Sequence, residues 1–307
     1  MHVTKPKISA VITTWNEAVN LDDCLATLGF VDEIIIVDME SSDGTVKIAK
    51  AYTDKVYRTP YTGYVEPARN FSISKASGSW ILIIDGDERI PPSLAEKLKE
   101  ITENDDADFV RVPRKNLVFG QWLKYSRWWP DYNIRFFKKG YVTWQNTIHS
   151  VPITEGIGMN LDPEPEYAII HHHYRTIDEY ITRLMRYTNQ QSKELISAGY
   201  KFSLADLINK PIGEFLSRFF AGEGYKDGLH GLSLSLLQSF SIFVVYLKVW
   251  QEEGFTPQTD VLSNSSFKKL IKSKFTELKY WLYTIKIHIS GKKSEKFILK
   301  IKRKLNL

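Results

Sequence analysis

The residues best equipped for chemistry are Asp85, Asp87 and Glu88, which follow the apolar run Trp80-Ile81-Leu82-Ile83-Ile84 with only Gly86 between the first two. Two aspartates one residue apart can hold a hard divalent cation, and such a cation can hold a diphosphate. The preceding run is short, mostly β-branched and uncharged, as expected of a strand buried on both faces. Unpaired charge is too costly inside such a strand, so the carboxylates mark the point where it emerges. In an open parallel sheet that C-terminal edge is where ligands bind. Asp-Gly is also ordinary turn chemistry, and the rest of the chain decides between a site and a solvated turn.

The elements that must position these carboxylates alternate in type. Ile8–Ile12 reads as a buried strand ending at Thr13 and Thr14. Val31–Val37 is a second strand running into Asp38, and Lys55–Tyr57 is a short third. Between them Leu21, Cys24, Leu25 and Leu28 recur at helical spacing, Val46–Tyr52 reads as a helix, and Pro67–Ala76 is a helix carrying Arg69 and Asn70. Pro91-Pro92 opens a further helix, Leu94–Ile101. This alternation predicts an α/β fold with right-handed crossovers and a mostly parallel sheet flanked by helices. Three strands end in polar residues, and their ends share one edge, which favours the site over the turn. The chain has no Gly-x-Gly-x-x-Gly after its first strand and no Gly-x-x-x-x-Gly-Lys-Ser/Thr. A diphosphate therefore needs another source of positive charge, and a metal on Asp85 and Asp87 supplies it.

From Asp108 the pattern changes. Phe109–Val112 alternates like a strand with one wet face, Asn116–Trp129 reads as an aromatic loop, and Asp131–Phe137 is a strand closed by Lys138-Lys139-Gly140. Ala168–Ile170 runs into His171-His172-His173. Beyond residue 175 the chain is helical: Ile177–Ile196, then Leu204–Ile208 and Phe215–Phe220 separated by Pro211. Leu229–Trp250 is long and apolar but interrupted by serines, so it reads as a buried or interface-lying helix rather than a span.

Composition bounds the setting. The chain has 307 residues, 43% of them hydrophobic, enough for one large domain with an appendage or for two domains. Cys24 is the single cysteine, so no internal disulfide forms and a reducing compartment is expected. Met1–Lys7 lacks the apolar core of a signal peptide, which predicts a cytoplasmic location. From Phe267 onward there are 13 Lys and Arg against 2 acidic residues, whereas the preceding residues carry a net charge of −6. A basic tail on an acidic body expects an anionic partner, either a membrane surface or nucleic acid. Phe267–Ile289 combines apolar residues at helical spacing with lysines, Trp and Tyr, the pattern of an in-plane membrane helix.

Several stretches in order carry a resemblance. Ile8–Glu17, Val37–Thr45, Ala68-Arg69-Asn70 and Trp80–Glu88 resemble family 2 glycosyltransferases of the GT-A fold. So do Trp128-Trp129-Pro130-Asp131-Tyr132, Ile148-His149-Ser150 and Gly224–Gly231, which are similar to the small bacterial enzymes that add sugars to lipopolysaccharide core or other surface glycans. The resemblance spans most of residues 7–250. It implies a nucleotide-sugar donor, first of all a UDP-sugar, a divalent metal (Mg²⁺ or Mn²⁺), and inverting transfer to a lipid-linked or cell-surface glycan. Thr13, Trp15, Glu17 and Asp38 match nucleoside-binding positions and Arg69 a donor-binding position. Asp87 matches the metal ligand, and Asp85 a ribose, metal or metal-bound-water contact. Asp131 stands where this family carries its base, with His149 the second candidate. The family's usual Gly in the turn after the second strand is Glu40 here.

Around these positions further expectations stand. Arg135 could pair with Asp131 or face the diphosphate. One or two of His171–His173 could lend a further metal ligand, and Trp122, Trp128 and Trp129 could form a sugar-stacking wall. The expected division is a catalytic domain over 1–175 and a helical, basic region over 176–307 at the inner face of the cell membrane. Two rival readings are a metal-dependent sugar nucleotidyltransferase and a nucleic-acid-binding protein. The first lacks its Gly-rich Arg/Lys loop after the first strand; the second leaves the acidic pair without a role, so no nucleic-acid partner is expected.

Overall fold

All positions of Ile8–Thr14 are buried, and this strand, β1, lies inside the sheet rather than at its edge. The computed structural model describes residues 7–63, 65–145, 151–257, 261 and 265–305. These residues fall into two compact units, Met1–Trp122 with Trp128–His173, and Leu123–Arg127 with Tyr174–Leu307.

In the first unit β2 (Glu33–Asp38) and β4 (Trp80–Ile84) flank β1 in parallel, and β3 (Val56–Arg58) extends the sheet beyond β2. The helices α1 (Leu21–Ala26), α2 (Thr45–Tyr52), α3 (Glu66–Ser74) and α4 (Pro92–Asn104) lie between or after these strands. Alternate side chains on a strand face opposite sides, so each strand feeds two cores. Ile12, Ile36, Leu82 and Ile84 join Leu21, Leu25, Leu94 and Leu98 on one face. Val11, Ile35, Val37, Ile81 and Ile83 join Ile73 and Ala76 on the other. That double burial explains the unbroken apolar runs.

Beyond β4 the sheet becomes mixed. The remaining strands are β5 (Glu88–Arg89), β6 (Phe109–Val118), β7 (Gln121–Trp122), β8 (Asp131–Lys138), β9 (Val142–Thr143), β10 (Ile153–Thr154), β11 (Gly158–Asn160) and β12 (Ile169–Tyr174). The order is β3-β2-β1-β4-β8-β6-β12-β5, with β4–β8, β8–β6 and β12–β5 antiparallel. The segment from Asn116 to Trp129, expected as a loop, is partly strand. β6 continues to Val118, turns through Phe119 and Gly120 at positive φ, and returns as β7. Its apolar alternation is short and broken by Arg114 and Asn116, which hid the strand.

The second unit is built on α5 (Ile177–Ser197), α6 (Leu204–Leu216), α7 (Gly228–Glu252), α8 (Ser265–Ile289) and α9 (Lys293–Leu305). α6 runs unbroken through Pro211, where two pieces were expected. Pro211 is buried, and Ser239 of α7 donates to its carbonyl at 2.8 Å, so packing overrides the helix-breaking tendency. The stretch Gly224–Gly231 gains a physical reason here. A Cβ on Gly231 would lie 1.8 Å from the Gly224 carbonyl oxygen. Asp227 accepts the backbone N–H groups of Lys124 and Tyr125 at 3.2 and 2.9 Å, which ties Leu123–Arg127 into this unit. Within Gly224–Glu252 lies the one stretch among the described residues long and apolar enough to cross a membrane.

Candidate active site

Parallel pairing brings the three polar strand ends together. Thr14 pairs with Asp38 across β1 and β2, and Ile12 with Ile84 across β1 and β4. The loops that follow are laced to each other. Asn16 N–H donates to Ser41 Oγ at 2.8 Å, Ser42 N–H to Asn16 Oδ1 at 2.8 Å, and Ala18 N–H to Asp43 Oδ2 at 3.1 Å. Glu40 takes φ of 60°, the left-handed conformation that a Gly would adopt more easily, so the turn carries backbone strain at this position. Gly86 lets the turn after β4 approach the first loop, since a Cβ there would stand 3.2 Å from the Glu17 side chain.

The residues expected to bind the nucleoside share this edge. Asp38 is fully buried; one carboxylate oxygen accepts Ser41 N–H at 3.1 Å, and the other, Oδ1, has no hydrogen-bond partner among the described residues. A buried, unsatisfied carboxylate oxygen is expensive, and a ligand donor would relieve it. Trp15 is stacked on Tyr61 with centroids 4.2 Å apart. Thr13 Oγ1 lies 2.9 Å from Ser72 Oγ, and Glu17 accepts Asn20 Nδ2 at 2.7 Å.

The acidic turn divides into two sides. Asp85 faces arginines: Arg69 Nη2 reaches Oδ1 at 3.0 Å and Arg135 Nη2 reaches Oδ2 at 2.6 Å. Burial pushes the Asp85 carboxyl up, but Arg135 and Arg69 more than reverse this and hold it well below the usual carboxylate range. Glu88 is fully buried. It accepts Asp85 N–H at 2.9 Å, Arg135 Nη2 at 2.6 Å and Arg114 Nη1 at 3.4 Å. Arg135 therefore pairs with Asp85 and Glu88, not Asp131, and its buried Nε has no partner among the described residues.

Asp87 faces imidazoles. The antiparallel pairing of β12 with β5 sets His171 opposite Glu88. It leaves His171 Nε2 3.6 Å from Asp87 Oδ2 and 3.3 Å from His173 Nδ1. On the other edge of its ring, His171 Nδ1 lies 2.6 Å from Asn116 Oδ1. An amide oxygen only accepts, so this contact places a proton on Nδ1 and leaves Nε2 as the ring nitrogen on the Asp87 side. A hydrogen bond of this kind to the far ring nitrogen typically orients a metal-binding His. The Asp87 carboxylate and the His173 imidazole are the groups nearest His171 Nε2, at 3.6 and 3.3 Å, so these side chains would hold an ion if one bound here. Among the described residues no group of three or more His, Cys, Asp or Glu side chains is placed to hold a metal ion by itself. A carboxylate with one or two imidazoles is a mixed oxygen–nitrogen set, which would suit a transition-metal ion such as Mn²⁺ better than Mg²⁺.

Asp131 opens β8 a short way along the same surface. Arg114 grips its Oδ2 through Nε and Nη2 at 2.9 and 2.7 Å, Asn116 Nδ2 donates to Oδ2 at 3.1 Å, and Asn133 Nδ2 donates to Oδ1 at 3.2 Å. Burial raises the Asp131 carboxyl, yet Arg114 and Asn116 bring it below the ordinary range. Trp128 meets His173 edge-on at 5.5 Å, whereas Trp122 and Trp129 pair with each other at 5.1 Å and Lys115 lies over Trp122. His149 lies outside the described residues. The sequence reading passed over Arg114 and Asn116. Their signal is positional: they continue the buried Val110–Val112 face of β6 and replace its apolar residues with polar ones.

Residues 9–159 match the family described as Glycosyl transferase family 2. An uncharacterized glycosyltransferase of Rickettsia typhi is 30% identical over 254 residues, covering 79% of this chain and 86% of that protein. The chain belongs to glycosyltransferase family 2. Its α/β core has the layout of the GT-A fold expected of this family. As a family 2 glycosyltransferase it is also similar to the lipopolysaccharide core biosynthesis glycosyltransferase LpsC of Rhizobium meliloti, at 25% identity over 84% of this chain and 97% of that one. Among solved structures it resembles S. aureus TarS 1–349 in complex with UDP, with a TM-score of 0.43 at 14% identity, over 79% of this chain and 91% of that one.

Proposed function

We propose that this enzyme transfers a sugar from a UDP-sugar to a lipid-linked or cell-surface glycan, with inversion and by direct displacement. One observation carries the reading: a single sheet edge gathers a buried acceptor that lacks a partner (Asp38 Oδ1), a carboxylate–imidazole pair (Asp87 and His171) and an ion-paired carboxylate with a separate environment (Asp131). The name of the LpsC relative supports a lipopolysaccharide or other surface-glycan acceptor.

In this reading Asp38, Thr13, Trp15 and Glu17 bind the nucleoside, Trp15 by stacking and Asp38 by accepting an N–H or hydroxyl. Asp87 and His171 hold the divalent ion, with His173 beside them. When bound, the ion offsets charge on the departing diphosphate. Arg69 and Arg135 add cationic charge on the other side, and Asp85 keeps both guanidinium groups in place. Asp131 accepts the proton of the acceptor hydroxyl as its oxygen bonds to the anomeric carbon. The bond from that carbon to the diphosphate breaks, and the electron pair leaves with the diphosphate. Residues 1–175 form the catalytic domain, and 176–307 keep it cytoplasmic and peripheral at the inner face of the membrane, with no nucleic-acid partner.

A panel of nucleoside diphosphates and sugar nucleotides with Mg²⁺ or Mn²⁺ tests this. UDP is expected to raise the melting temperature only with the metal, and one UDP-sugar to release UDP slowly in the absence of acceptor. Equal response to every nucleotide, or none to any, contradicts the proposal.

A further inference from the structure

An amphipathic helix on a globular protein normally turns its apolar stripe inward. α9 does the reverse. Arg303 is directed to α8, with Nη1 donating to Thr284 Oγ1 at 3.2 Å and the guanidinium 5.2 Å from the Tyr280 ring. Lys296 and Leu299 are half-buried on the same side. Phe297, Ile298, Ile301 and Leu305 point outward and are 65, 54, 43 and 60% exposed. α8 shares the feature. Trp281 stacks on Phe220 and Ile287 is buried, yet Phe275, Leu282 and Ile289, spaced seven apart, are 64, 46 and 73% exposed.

The charge around this apolar face is one-sided. The two helices carry lysines along both their lengths and only two acids, Glu277 and Glu295. Glu277 pairs with Lys274 at 2.8 Å, and Glu295 accepts Ser290 Oγ at 2.8 Å. No ion pair to an acid joins the other lysines of α8 or α9 among the described residues. An exposed face of large apolar side chains rimmed by uncompensated ammonium groups complements an anionic bilayer. The apolar groups reach the headgroup–acyl boundary, and the lysine stems lie flat with their charges among lipid phosphates. A nucleic-acid site would place cations where Ile298, Ile301 and Leu305 stand, and would supply several stacking rings where α9 supplies one, Phe297.

We infer that α8 and α9 dock in the plane of an anionic membrane, with Phe297, Ile298, Ile301 and Leu305 inserted and the lysines of both helices at the headgroups. This assigns a surface to the peripheral location proposed above. It rests on exposure and charge in these helices, independently of the donor assigned to the active site.

Cosedimentation of the full chain with phosphatidylcholine vesicles, with and without phosphatidylglycerol, tests it. Binding is expected only with phosphatidylglycerol and is expected to weaken as salt rises. Replacing Lys300, Lys302 and Lys304 by Gln should lower affinity about fivefold for each residue changed. Phe297→Ser with Ile301→Ser, which leaves the charge unchanged, should abolish binding at moderate salt. UDP-dependent thermal stabilisation, read on the same preparations, should be unchanged in both variants; its absence from the wild type would count against the donor reading alone. Wild-type binding by the Phe297→Ser/Ile301→Ser protein overturns the inference. So does equal binding to neutral vesicles, or full displacement from anionic vesicles by a short DNA duplex.

Discussion

Asp131 and His171 share one amide. The Asn116 oxygen lies 2.6 Å from His171 Nδ1 and its nitrogen 3.1 Å from Asp131 Oδ2. The proposed base and the proposed metal-side imidazole are therefore oriented by the same side chain. Asn116→Ala removes both contacts at once. It should weaken Mn²⁺-dependent UDP binding about tenfold, the usual scale for losing the hydrogen bond that orients a metal-binding His, and lower kcat further than that loss of binding accounts for. Isothermal titration with UDP and Mn²⁺, set beside turnover, separates the two effects. Wild-type values for both would break the proposed link.

Arg114 sets the protonation of Asp131. Burial raises that carboxyl and Arg114 is the strongest influence lowering it. A depressed pKa keeps the group ionised through the neutral range, so activity should fall only as pH drops below the ordinary carboxylate range. Arg114→Gln leaves burial less opposed, and the acid limb of kcat/KM should move to higher pH. An acid limb that stays in place would remove Asp131 from the role of base.

Much of this arrangement was legible in the chain because it is local or periodic. The apolar runs of β1, β2 and β4 announced buried strands, and Thr13, Asp38 and Asp85–Asp87 at their ends announced a shared edge, because parallel strands align their C-termini. The division of labour at the acidic turn was less visible. It depends on β8 bringing Arg135 to Asp85 and on β12 pairing with β5 to bring His171 to Asp87, and neither antiparallel pairing leaves a periodic trace in sequence. Glu88, the third carboxylate of the turn, contacts arginines on both β6 and β8 for the same reason. Pro211 misled because its cost to an isolated helix is larger than its cost in a packed one.

Glu33 gives an acid-stability prediction. Burial opposes ionisation, but Lys55, Ser9 and Ser77 outweigh it and bring the carboxyl down from 4.5 to about 2. A group with a folded-state pKa below its unfolded value stabilises fully above the unfolded value and loses that contribution as pH falls through the folded one. Chemical denaturation should show stability declining between about pH 4.5 and 2. Glu33→Gln should be less stable at neutral pH and show a shallower decline in that window. The same slope in wild type and variant would contradict this.

Gly231 makes the sign of a substitution informative. Gly to Ala inside a helix ordinarily stabilises by up to about 1 kcal/mol. Here the added Cβ would sit 1.8 Å from the Gly224 carbonyl oxygen, which is backbone and cannot rotate away. Overpacking of this kind costs about 1–3 kcal/mol, so Gly231→Ala should lower the melting temperature. A rise would show that the α7 start relaxes freely.

The central claim is that Asp87, oriented with His171, holds the ion that holds the donor diphosphate. Differential scanning fluorimetry of wild type, Asp87→Asn and His171→Ala with UDP, with and without Mn²⁺, addresses it most directly. Melting temperatures near wild type are expected for both variants without ligand, with loss of the Mn²⁺-dependent increment from UDP, complete in Asp87→Asn. An Asp87→Asn protein that responds to UDP and Mn²⁺ as the wild type does would contradict it.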